Sequence, residues 1–372
     1  MIIEEIKPAD IFTEESILQT LTNIRPGKCH NASDAEFLKR LSQDTETEIK
    51  RIIFEVSNGA YSPEPAVLLD SDRKICNMAL RDKVIHNLIN KVLNNRILEK
   101  SIPTNFGYLK GRSALGAVDH ICAHIDTIDT AGMERSIFFK CDIQAFFDSI
   151  DHEILLSKVN DLFGKRMALL VGGIITAPVR LRDGTMVRTS RGVLRGSPLS
   201  PALSNIYLLE TDRLFFDRFK LYVRFSDDML FRIEGMRRGK NGIEKAADMI
   251  AENMRRVKLQ FNPQKTGMVD LKKGFVFLGH EFFKREGDKG GPEQNGGGSE
   301  TMFEDSFAQM DYDILLKNIH TFDGIDFSRC GRLLNIVEKN ASPVGAVLLI
   351  AVAARNGWRL DDRASKLLRE RT

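Results

Sequence analysis

Two adjacent carboxylates, Asp227 and Asp228, lie between the apolar runs YVRF and MLFRI, both of which are typical of β-strands. Neighbouring like charges repel each other and aspartate is a poor strand former, so the pair costs free energy unless a partner offsets that cost. A divalent metal ion is one such partner. The alternative is a solvated turn, in which aspartate is a common residue. The pair alone leaves both interpretations open.

A third carboxylate, Asp142, ends the apolar run IFFKCD and precedes the segment IQAFFDSIDH. If both regions belong to one sheet, Asp142 and the later acidic turn can meet at one edge and bind hard cations through oxygen ligands. Two such ions about 4 Å apart would stabilise the attacking and leaving oxygens of a phosphoryl transfer. The three carboxylates therefore predict a metal-dependent phosphoryl-transfer site.

Two segments carry local excesses of positive charge that the net charge of +3 conceals. Residues 73–112 contain nine Lys and Arg against two Asp and Glu, and residues 180–195 contain five Arg against one Asp. Such clusters are typical of surfaces that bind phosphate backbones. The alternative is that each cluster is an ordinary solvated surface. Beside a phosphoryl-transfer site, the charge favours a nucleic-acid substrate.

The composition limits the class of protein. With 372 residues, 42% of them hydrophobic, the chain can bury a large core and is expected to form two or three subdomains. A disordered or fibrous protein is excluded. The sequence lacks a transmembrane-length apolar run and a signal peptide, so we expect a cytoplasmic protein with no membrane partner. Its five cysteines form no C-x-x-C pair, which argues against disulfides and a zinc site.

The elements that must position these groups change in character along the chain. The first 60 residues and residues 78–100 are predicted to be helical, and FLKRLSQDTETEIKRIIFEV suits one helix face. VRLRDGTMVR predicts a hairpin with Asp183 and Gly184 in its turn. Residues 201–219 are again helical, with Ser200 as the N-cap. Between the helices, β-branched and aromatic runs predict strands: SIFFKCDI, KLYVRF, MLFRI and GFVFLGHEF.

The order of these segments carries a resemblance to a known family. Five segments resemble motifs A to E of the reverse transcriptase palm, in family order: FFKCDIQAFFDSIDH, RGVLRGSPLSPALSNIYL, YVRFSDDMLF, LQFNPQKTG and FVFLGHEF. DRKICNMALRDKVIHNLI and NFGYLKGRSALGAV resemble two fingers motifs of group II intron-type enzymes. The chain thus resembles bacterial reverse transcriptases of the group II intron-like, retron and defence-associated superfamily, over about residues 70–283.

This resemblance implies an α+β, right-hand polymerase fold with helical, basic fingers, a palm with an antiparallel sheet and a helical thumb. The glycine-rich stretch 284–300 is interpreted as a flexible linker. The implied regions are an N-terminal helical region (1–69), fingers (70–135), palm (136–283, with a fingers-side hairpin at 178–190), linker (284–300) and thumb (301–372).

The resemblance also implies roles for single residues. Asp142 and Asp227 would bind two Mg²⁺ ions, with Mn²⁺ as the alternative ion, and the Ile143 carbonyl and Asp228 would complete the site. Lys265 would protonate the departing pyrophosphate. The residues implied for the incoming nucleotide are Arg73, Lys74, Arg81, Phe147, Arg195 and Gly196, with Phe147 excluding ribonucleotides at the sugar 2′ position. Lys110 and Arg112 would hold the template backbone.

Several of these positions have simpler interpretations. Phe147 could instead be a core aromatic, and Lys265 a solvated surface charge. Two positions also depart from the family pattern: Arg195 stands where most members have glutamine, and Phe225 where tyrosine is commonest. An arginine adds charge and a planar donor fork beside the nascent base pair, so nucleotide selection or template geometry is expected to differ.

The implied function is RNA-directed DNA polymerisation from dNTPs, with a dedicated non-coding RNA as template and a partner protein as a further component. The segment after Phe283 holds only the linker and one helical region, so by elimination we expect a stand-alone enzyme of the antiviral defence groups. Two alternatives stay open: a maturase-like RNA-binding cofactor, and an untemplated or protein-primed nucleotidyltransferase. The intact carboxylates and Lys265 favour the polymerase, because a binding protein does not need them.

Overall fold

The computed structural model describes residues 7–23, 32–70, 74–234 and 240–284. All of them belong to the first of two compact units, residues 1–292. The second unit, residues 293–372, lies outside the described residues. The predicted thumb, 301–372, and the predicted linker beyond residue 284 therefore lie outside them as well.

The described residues form twelve helices and ten strands. The helices are α1 (Pro8–Ile11), α2 (Glu14–Asn23), α3 (Ala32–Gln43), α4 (Thr45–Ser57), α5 (Leu80–Lys100), α6 (Ala114–Asp126), α7 (Thr130–Arg135), α8 (Phe146–Ser149), α9 (His152–Phe163), α10 (Lys165–Ile175), α11 (Ser200–Arg218) and α12 (Lys240–Arg256). The strands are β1 (Ala66–Asp70), β2 (Ile75–Asn77), β3 (Ser136–Asp142), β4 (Val179–Arg180), β5 (Met186–Val187), β6 (Leu221–Phe225), β7 (Asp228–Glu234), β8 (Gly267–Val269), β9 (Phe275–Phe277) and β10 (His280–Phe282).

The N-terminal helices pack against α5 and against one another. The prediction of one helix face across FLKRLSQDTETEIKRIIFEV is wrong, because the segment is divided between α3 and α4. Asp44 has an extended backbone, with φ −154°, and its carboxylate accepts the N–H of Thr47 at 3.0 Å. An aspartate in this position satisfies an otherwise unpaired N–H, so it begins a new helix.

The central sheet is antiparallel and has the strand order β6-β7-β3-β8. Its apolar side chains alternate between two separate core clusters, as the period of a strand requires. Phe139 of β3 and Phe231 of β7 contact the larger cluster, which includes residues of α5, α9, α10 and α11. Phe138 and Leu230, one position away, contact the smaller cluster, built from α6, β9 and β10. The sheet is therefore covered by apolar side chains on both faces.

A second four-stranded sheet has the order β2-β1-β4-β5. Its strands β4 and β5 pair antiparallel around Asp183 and Gly184, as the turn signal predicts, and Gly184 has φ 88°. β1 pairs antiparallel with β2 and parallel with β4. The two basic segments of the sequence thus contribute strands to one sheet.

Helix α11 begins one residue earlier than the sequence indicates. Leu199 is its N-cap, Ser200 is its first residue and Pro201 its second. The Ser200 hydroxyl donates to the carbonyl of Leu194 at 2.7 Å, so it is engaged with the preceding loop and does not cap the helix. The prediction that Ser200 caps the helix is therefore wrong.

None of the described helices combines the length and the apolar character needed to cross a membrane. Cys76 and Cys141 are buried free thiols, and Cys122 is a half-buried one. Cys29 and Cys330 lie outside the described residues.

Candidate active site

Asp142 and Asp228 face each other across β3 and β7 as the last residue pair of that ladder. Asp227 is the second residue of the turn Ser226-Asp227, which joins β6 to β7. Its carbonyl accepts the N–H of Ile143 at 3.0 Å. The structure therefore brings together the three carboxylates and Ile143, at the end of the central sheet.

The carboxylates repel one another in this arrangement. The pKa of Asp228 is raised to about 6, first by burial and then by the charges of Asp227 and Asp142. In the part of the chain that the structure describes, no group of three or more Asp, Glu, His or Cys side chains is arranged to hold a metal ion by itself. Magnesium is usually bound by one or two carboxylates, with water and substrate phosphate as further ligands. The donor set fits that kind of site.

Lys265 lies next to these carboxylates. Its Nζ is 3.0 Å from Oδ2 of Asp142, and this hydrogen bond and the Asp142 charge raise the pKa of the lysine. The loop that carries Lys265 is tied to the end of β3, because the backbone N–H of Asp142 donates to Oγ1 of Thr266 at 3.2 Å and the N–H of Asn262 donates to the Asp142 carbonyl at 2.8 Å. Lys265 is therefore a positioned ammonium, although most of its side chain is exposed.

The raised pKa of Asp228 makes a prediction for the metal-free protein. The Asp228 pKa rises on folding from 3.8 to about 6, so its contribution to stability is present at low pH and is lost as the pH rises between these values. Asp228→Asn removes that charge. We expect its melting temperature in EDTA at about pH 7.5 to exceed that of the wild type by about 2 to 4 °C, the shift that ~1 kcal/mol produces once solvent screening is allowed for.

Thermal melting at about pH 7.5 and pH 4 measures this difference. Asp161→Asn, an exposed aspartate of α9, is the matched control. Equal gains at both pH values, or an equal gain in the control, would contradict the electrostatic origin of the effect.

Phe147 is half-buried, whereas the neighbouring Phe146 is buried in the core. The ring of Phe147 packs edge-on against Tyr108, with 6.4 Å between centroids. Tyr108 is 45% exposed and also contacts Phe225, at 6.3 Å between centroids. Phe147 thus packs against the larger core cluster and its neighbour Phe146, and it also contacts the exposed Tyr108 beside the turn Ser226-Asp227.

Asp148, next to Phe147, forms ion pairs with two residues predicted for nucleotide binding. Lys74 Nζ and Arg195 Nη2 each lie 3.4 Å from Oδ2 of Asp148. One carboxylate thus links the segment before β2, the end of α8 and the loop before α11. The structure thus brings Lys74 and Arg195 together on Asp148, the residue that follows Phe147.

Gly196 is required by a close approach to the second sheet. It has φ 103°, and a Cβ at this position would lie 2.3 Å from the carbonyl oxygen of Cys76. The backbone N–H of Cys76 donates to the carbonyl of Arg195 at 2.8 Å, so this loop lies alongside β2. The close approach that Gly196 permits in the described residues is to the backbone of Cys76, and its predicted role toward the nucleotide stays a prediction.

The remaining predicted cations differ in their surroundings. Arg81 pairs with Glu55 of α4 and lies over the Tyr61 ring, 5.5 Å from its centroid. The Arg112 Nη1 donates to the carbonyls of Ile102 and Asn105, within its own loop. Both guanidinium groups are thus engaged inside the protein, whereas Lys110 is exposed. Arg73 lies outside the described residues.

Three residues next to the predicted site were not predicted from the sequence: Tyr108, Asp148 and Arg224. Tyr108 and Asp148 carry no signal of their own, since their partners are distant in sequence. Arg224 does carry one, because a charged residue inside the apolar run YVRF requires a buried partner. That partner is Asp212, and the pair is completely buried.

Comparison with known proteins identifies the family. The profile of the family "Reverse transcriptase (RNA-dependent DNA polymerase)" matches residues 63–282. Protein YkfC of Escherichia coli (strain K12) is 23% identical over 279 residues, which cover 64% of this chain and 72% of YkfC. The group II intron-encoded protein LtrA of Lactococcus lactis subsp. cremoris is 27% identical over 177 residues, which cover 45% of this chain and 28% of LtrA.

Two further similarities are more limited. The probable RNA-directed DNA polymerase from transposon BS of Drosophila melanogaster is 27% identical over 222 residues, 55% of this chain and 23% of that protein. The chain thus spans less than a third of the length of LtrA and of the transposon protein. A structure of apo telomerase from Candida tropicalis covers 54% of this chain and 39% of the telomerase chain, with 14% identity and a TM-score of 0.42.

The family match includes the central sheet, the three carboxylates and Lys265. Since it extends over more than half of the chain, this protein belongs to the reverse transcriptase family, the nucleotidyltransferases that act as RNA-directed DNA polymerases.

Proposed function

We propose that this protein copies RNA into DNA by metal-dependent nucleotidyl transfer at the end of the central sheet, with Mg²⁺ as the ion. The observation that carries the proposal is the placement of Asp142 opposite Asp228, with Asp227 in the adjoining turn. Three carboxylates at one end of a sheet are costly for stability alone, and the raised pKa of Asp228 expresses that cost. Membership of a polymerase family supports a role of these carboxylates in binding the divalent cations of the reaction.

In this proposal Asp142 and Asp227 hold the cation, while the Ile143 carbonyl and Asp228 complete its surroundings. Bound divalent cations would stabilise the negative charge on the attacking and leaving oxygens during phosphoryl transfer. Lys265 is held protonated beside the carboxylates by its contact with Asp142. That contact makes it a weaker acid, so in this proposal the ammonium leaves Asp142 for the pyrophosphate leaving group before it donates its proton there.

The nucleotide would lie against Phe147 and the cluster formed by Lys74, Asp148 and Arg195. Phe147 is a partly exposed ring against Tyr108, whose hydroxyl accepts a hydrogen bond from Ser226 of the turn, and we assign it to exclude a ribose 2′-hydroxyl. Lys74 is 61% exposed and reaches Asp148 only at 3.4 Å, so its ammonium can transfer to a triphosphate at little cost. We assign Arg81 to support of the fingers, because Glu55 holds its guanidinium.

The direct test is primer extension with the full chain, an RNA template of defined sequence, an annealed DNA primer, dNTPs and Mg²⁺. The expected result is a DNA product whose sequence is complementary to the template. Products that ignore the template would favour the untemplated nucleotidyltransferase, and RNA binding without incorporation would favour the maturase-like cofactor.

The template of this enzyme is proposed to be a dedicated non-coding RNA, in an antiviral defence role. This proposal rests on the sub-family expectation from the sequence. Sequencing the RNA and DNA that copurify with the protein tests it: a single enriched RNA species with its complementary DNA is expected, and a broad sample of cellular RNA would contradict it.

Lys110 is expected to contact the template backbone, whereas Arg112 supports the loop that presents it. Lys110→Gln should make the dependence of log K on log[salt] shallower by about 0.7, the contribution of one phosphate on a single strand. The loss of affinity should be similar for templates of unrelated sequence, because phosphate contacts do not read bases.

Fluorescence anisotropy over a range of salt concentrations measures the slope. Lys245→Gln, an exposed lysine on α12, is the matched control and should leave the slope unchanged. A wild-type slope in Lys110→Gln would show that the lysine faces solvent, and the arginines of residues 180–195 would then be the next surface to test.

A further inference from the structure

Arg224 is completely buried on β6, three residues before Asp227. Its Nε and Nη2 donate to the two carboxylate oxygens of Asp212 on α11, at 2.8 and 2.6 Å. Nη2 also donates to Oδ1 of Asn205, at 3.0 Å, and Nη1 donates to the carbonyl of Ser226, at 3.1 Å. One guanidinium therefore joins helix α11 to the first residue of the turn Ser226-Asp227.

The same network includes the loop Thr104–Tyr108, between α5 and α6. The backbone N–H of Arg224 donates to the Thr104 carbonyl at 3.0 Å, and the N–H of Phe106 donates to the Arg224 carbonyl at 2.8 Å. This part of the loop thus lies along β6 as a short parallel extension of the sheet.

Asn205 connects the loop to Arg224 through side chains. Its Oδ1 accepts from Nδ2 of Asn105 at 3.1 Å as well as from Arg224, and its Nδ2 donates to the carbonyl of Gly107 at 2.9 Å. The N–H of Gly107 in turn donates to Oδ1 of Asn105 at 3.1 Å. Asn105 and Asn205 are completely buried, so each of these bonds fixes the loop relative to α11.

The loop also touches the turn directly. A Cβ on Gly107 would lie 2.6 Å from the backbone nitrogen of Ser226, so the two backbones are in contact. Ser226 has φ 58°, and its hydroxyl donates to the Tyr108 hydroxyl at 3.1 Å. A non-glycine residue in this left-handed conformation is held there by its surroundings.

A buried ion pair of this kind contributes little to stability, because the cost of removing both charges from water roughly cancels their attraction. Apolar residues of similar volume would stabilise the core at least as well. What the pair does provide is a fixed direction for each hydrogen bond, and two of the Arg224 bonds end outside the pair, one on Ser226 of the turn and one on Asn205.

We infer that Arg224 and Asn205 are positioning residues that hold the turn Ser226-Asp227 against the loop Thr104–Tyr108, and thereby set the affinity of the carboxylate site for divalent cations. The inference rests on the proposed function. It adds that the cation site depends on a buried hydrogen-bond network that includes the loop Thr104–Tyr108. The residues of this network act through Asp227 and do not touch the substrate.

The test measures Mn²⁺ binding to the full chain by isothermal titration calorimetry, without nucleic acid or dNTP. Specific binding is the part that is absent in Asp227→Asn. Asn205→Ala is expected to weaken Mn²⁺ binding about tenfold. This is the lower limit of the effect expected when a hydrogen bond to a charged group is lost. Arg224→Lys keeps the charge opposite Asp212 but loses the planar fork, and it should weaken Mn²⁺ binding to a similar extent.

Tyr222→Phe is the matched control. The Tyr222 hydroxyl donates to the same Asp212 carboxylate at 2.7 Å but contacts neither the turn nor the loop. Its loss should lower the melting temperature and leave Mn²⁺ affinity within about twofold. Asn105→Ala, which leaves the buried ion pair intact, is the second variant if Asn205→Ala does not fold.

A second readout separates positioning from general damage. In Asn205→Ala, primer extension should recover toward the wild-type rate as Mn²⁺ is raised, because the defect lies in cation affinity. Wild-type Mn²⁺ affinity in folded Asn205→Ala and Arg224→Lys would overturn the inference. A wild-type chain that binds Mn²⁺ through Asp227 and yet incorporates no dNTP would instead overturn the proposed function.

Discussion

Asp227→Asn should reduce RNA-templated dNTP incorporation by at least about three orders of magnitude. The substitution keeps the shape of the side chain and removes the charge that we propose binds the cation. Stabilisation of phosphoryl-transfer charge by a metal ion is worth several kcal/mol, and each 1.36 kcal/mol is about tenfold in rate. Single-turnover primer extension at saturating Mg²⁺ measures the loss.

Asp217→Asn, at an exposed position near the end of α11, is the matched control and should retain full activity. Circular dichroism of both variants checks that the fold is unchanged. Activity within tenfold of the wild type in Asp227→Asn would contradict the metal site and would require another set of residues for the chemistry.

Phe147→Ala should admit ribonucleotides. The ring is half-buried and contacts Tyr108, whose hydroxyl accepts a hydrogen bond from Ser226 of the turn. If the nucleotide sugar lies against this ring, its removal opens space where a 2′-hydroxyl would otherwise overlap with it. Steric overlap of this kind costs about 1 to 3 kcal/mol, which corresponds to about five- to 160-fold in the ratio of rNTP to dNTP incorporation. The ratio of kcat/KM for rCTP and dCTP on one template measures the change.

The neighbouring Phe146 provides the control, because it is buried in the core. Phe146→Leu should lower the melting temperature by leaving unfilled volume and should leave sugar selectivity unchanged. If Phe147→Ala instead melts far lower and keeps its selectivity, the core interpretation of Phe147 is right.

The sequence predicts the central part of the fold well, because β3, β6 and β7 have apolar residues on both sides and clear turn signals at their ends. The convergence of Asp142 and Asp228 follows from the ends of those strands. β1, β2 and β8 are not predicted, since none of them contains the aromatic residues that mark β3, β6 and β7 as strands. The break between α3 and α4 at Asp44 is missed for a different reason, because the capping hydrogen bond depends on local backbone geometry.

The surroundings of the arginines could not be predicted from sequence. Arg81 and Arg112 resemble phosphate ligands in a basic segment, but Glu55 and the backbone of the loop engage them in the folded chain. The ion pair of Arg195 with Asp148 and that of Arg224 with Asp212 also depend on tertiary packing. The sequence shows where each arginine lies in the chain, but the group that pairs with it depends on which distant elements pack together.

The burial of the central sheet on both faces limits the insertions and deletions that its strands can accept. Because alternate residues of β3 enter two different clusters, deleting or inserting one residue in Ser136–Asp142 would exchange the two sets of side chains. It would also turn Asp142 to the opposite face from Asp228. Lineages of this protein should therefore accept many substitutions within these strands, while changes in strand length are confined to the loops that connect them.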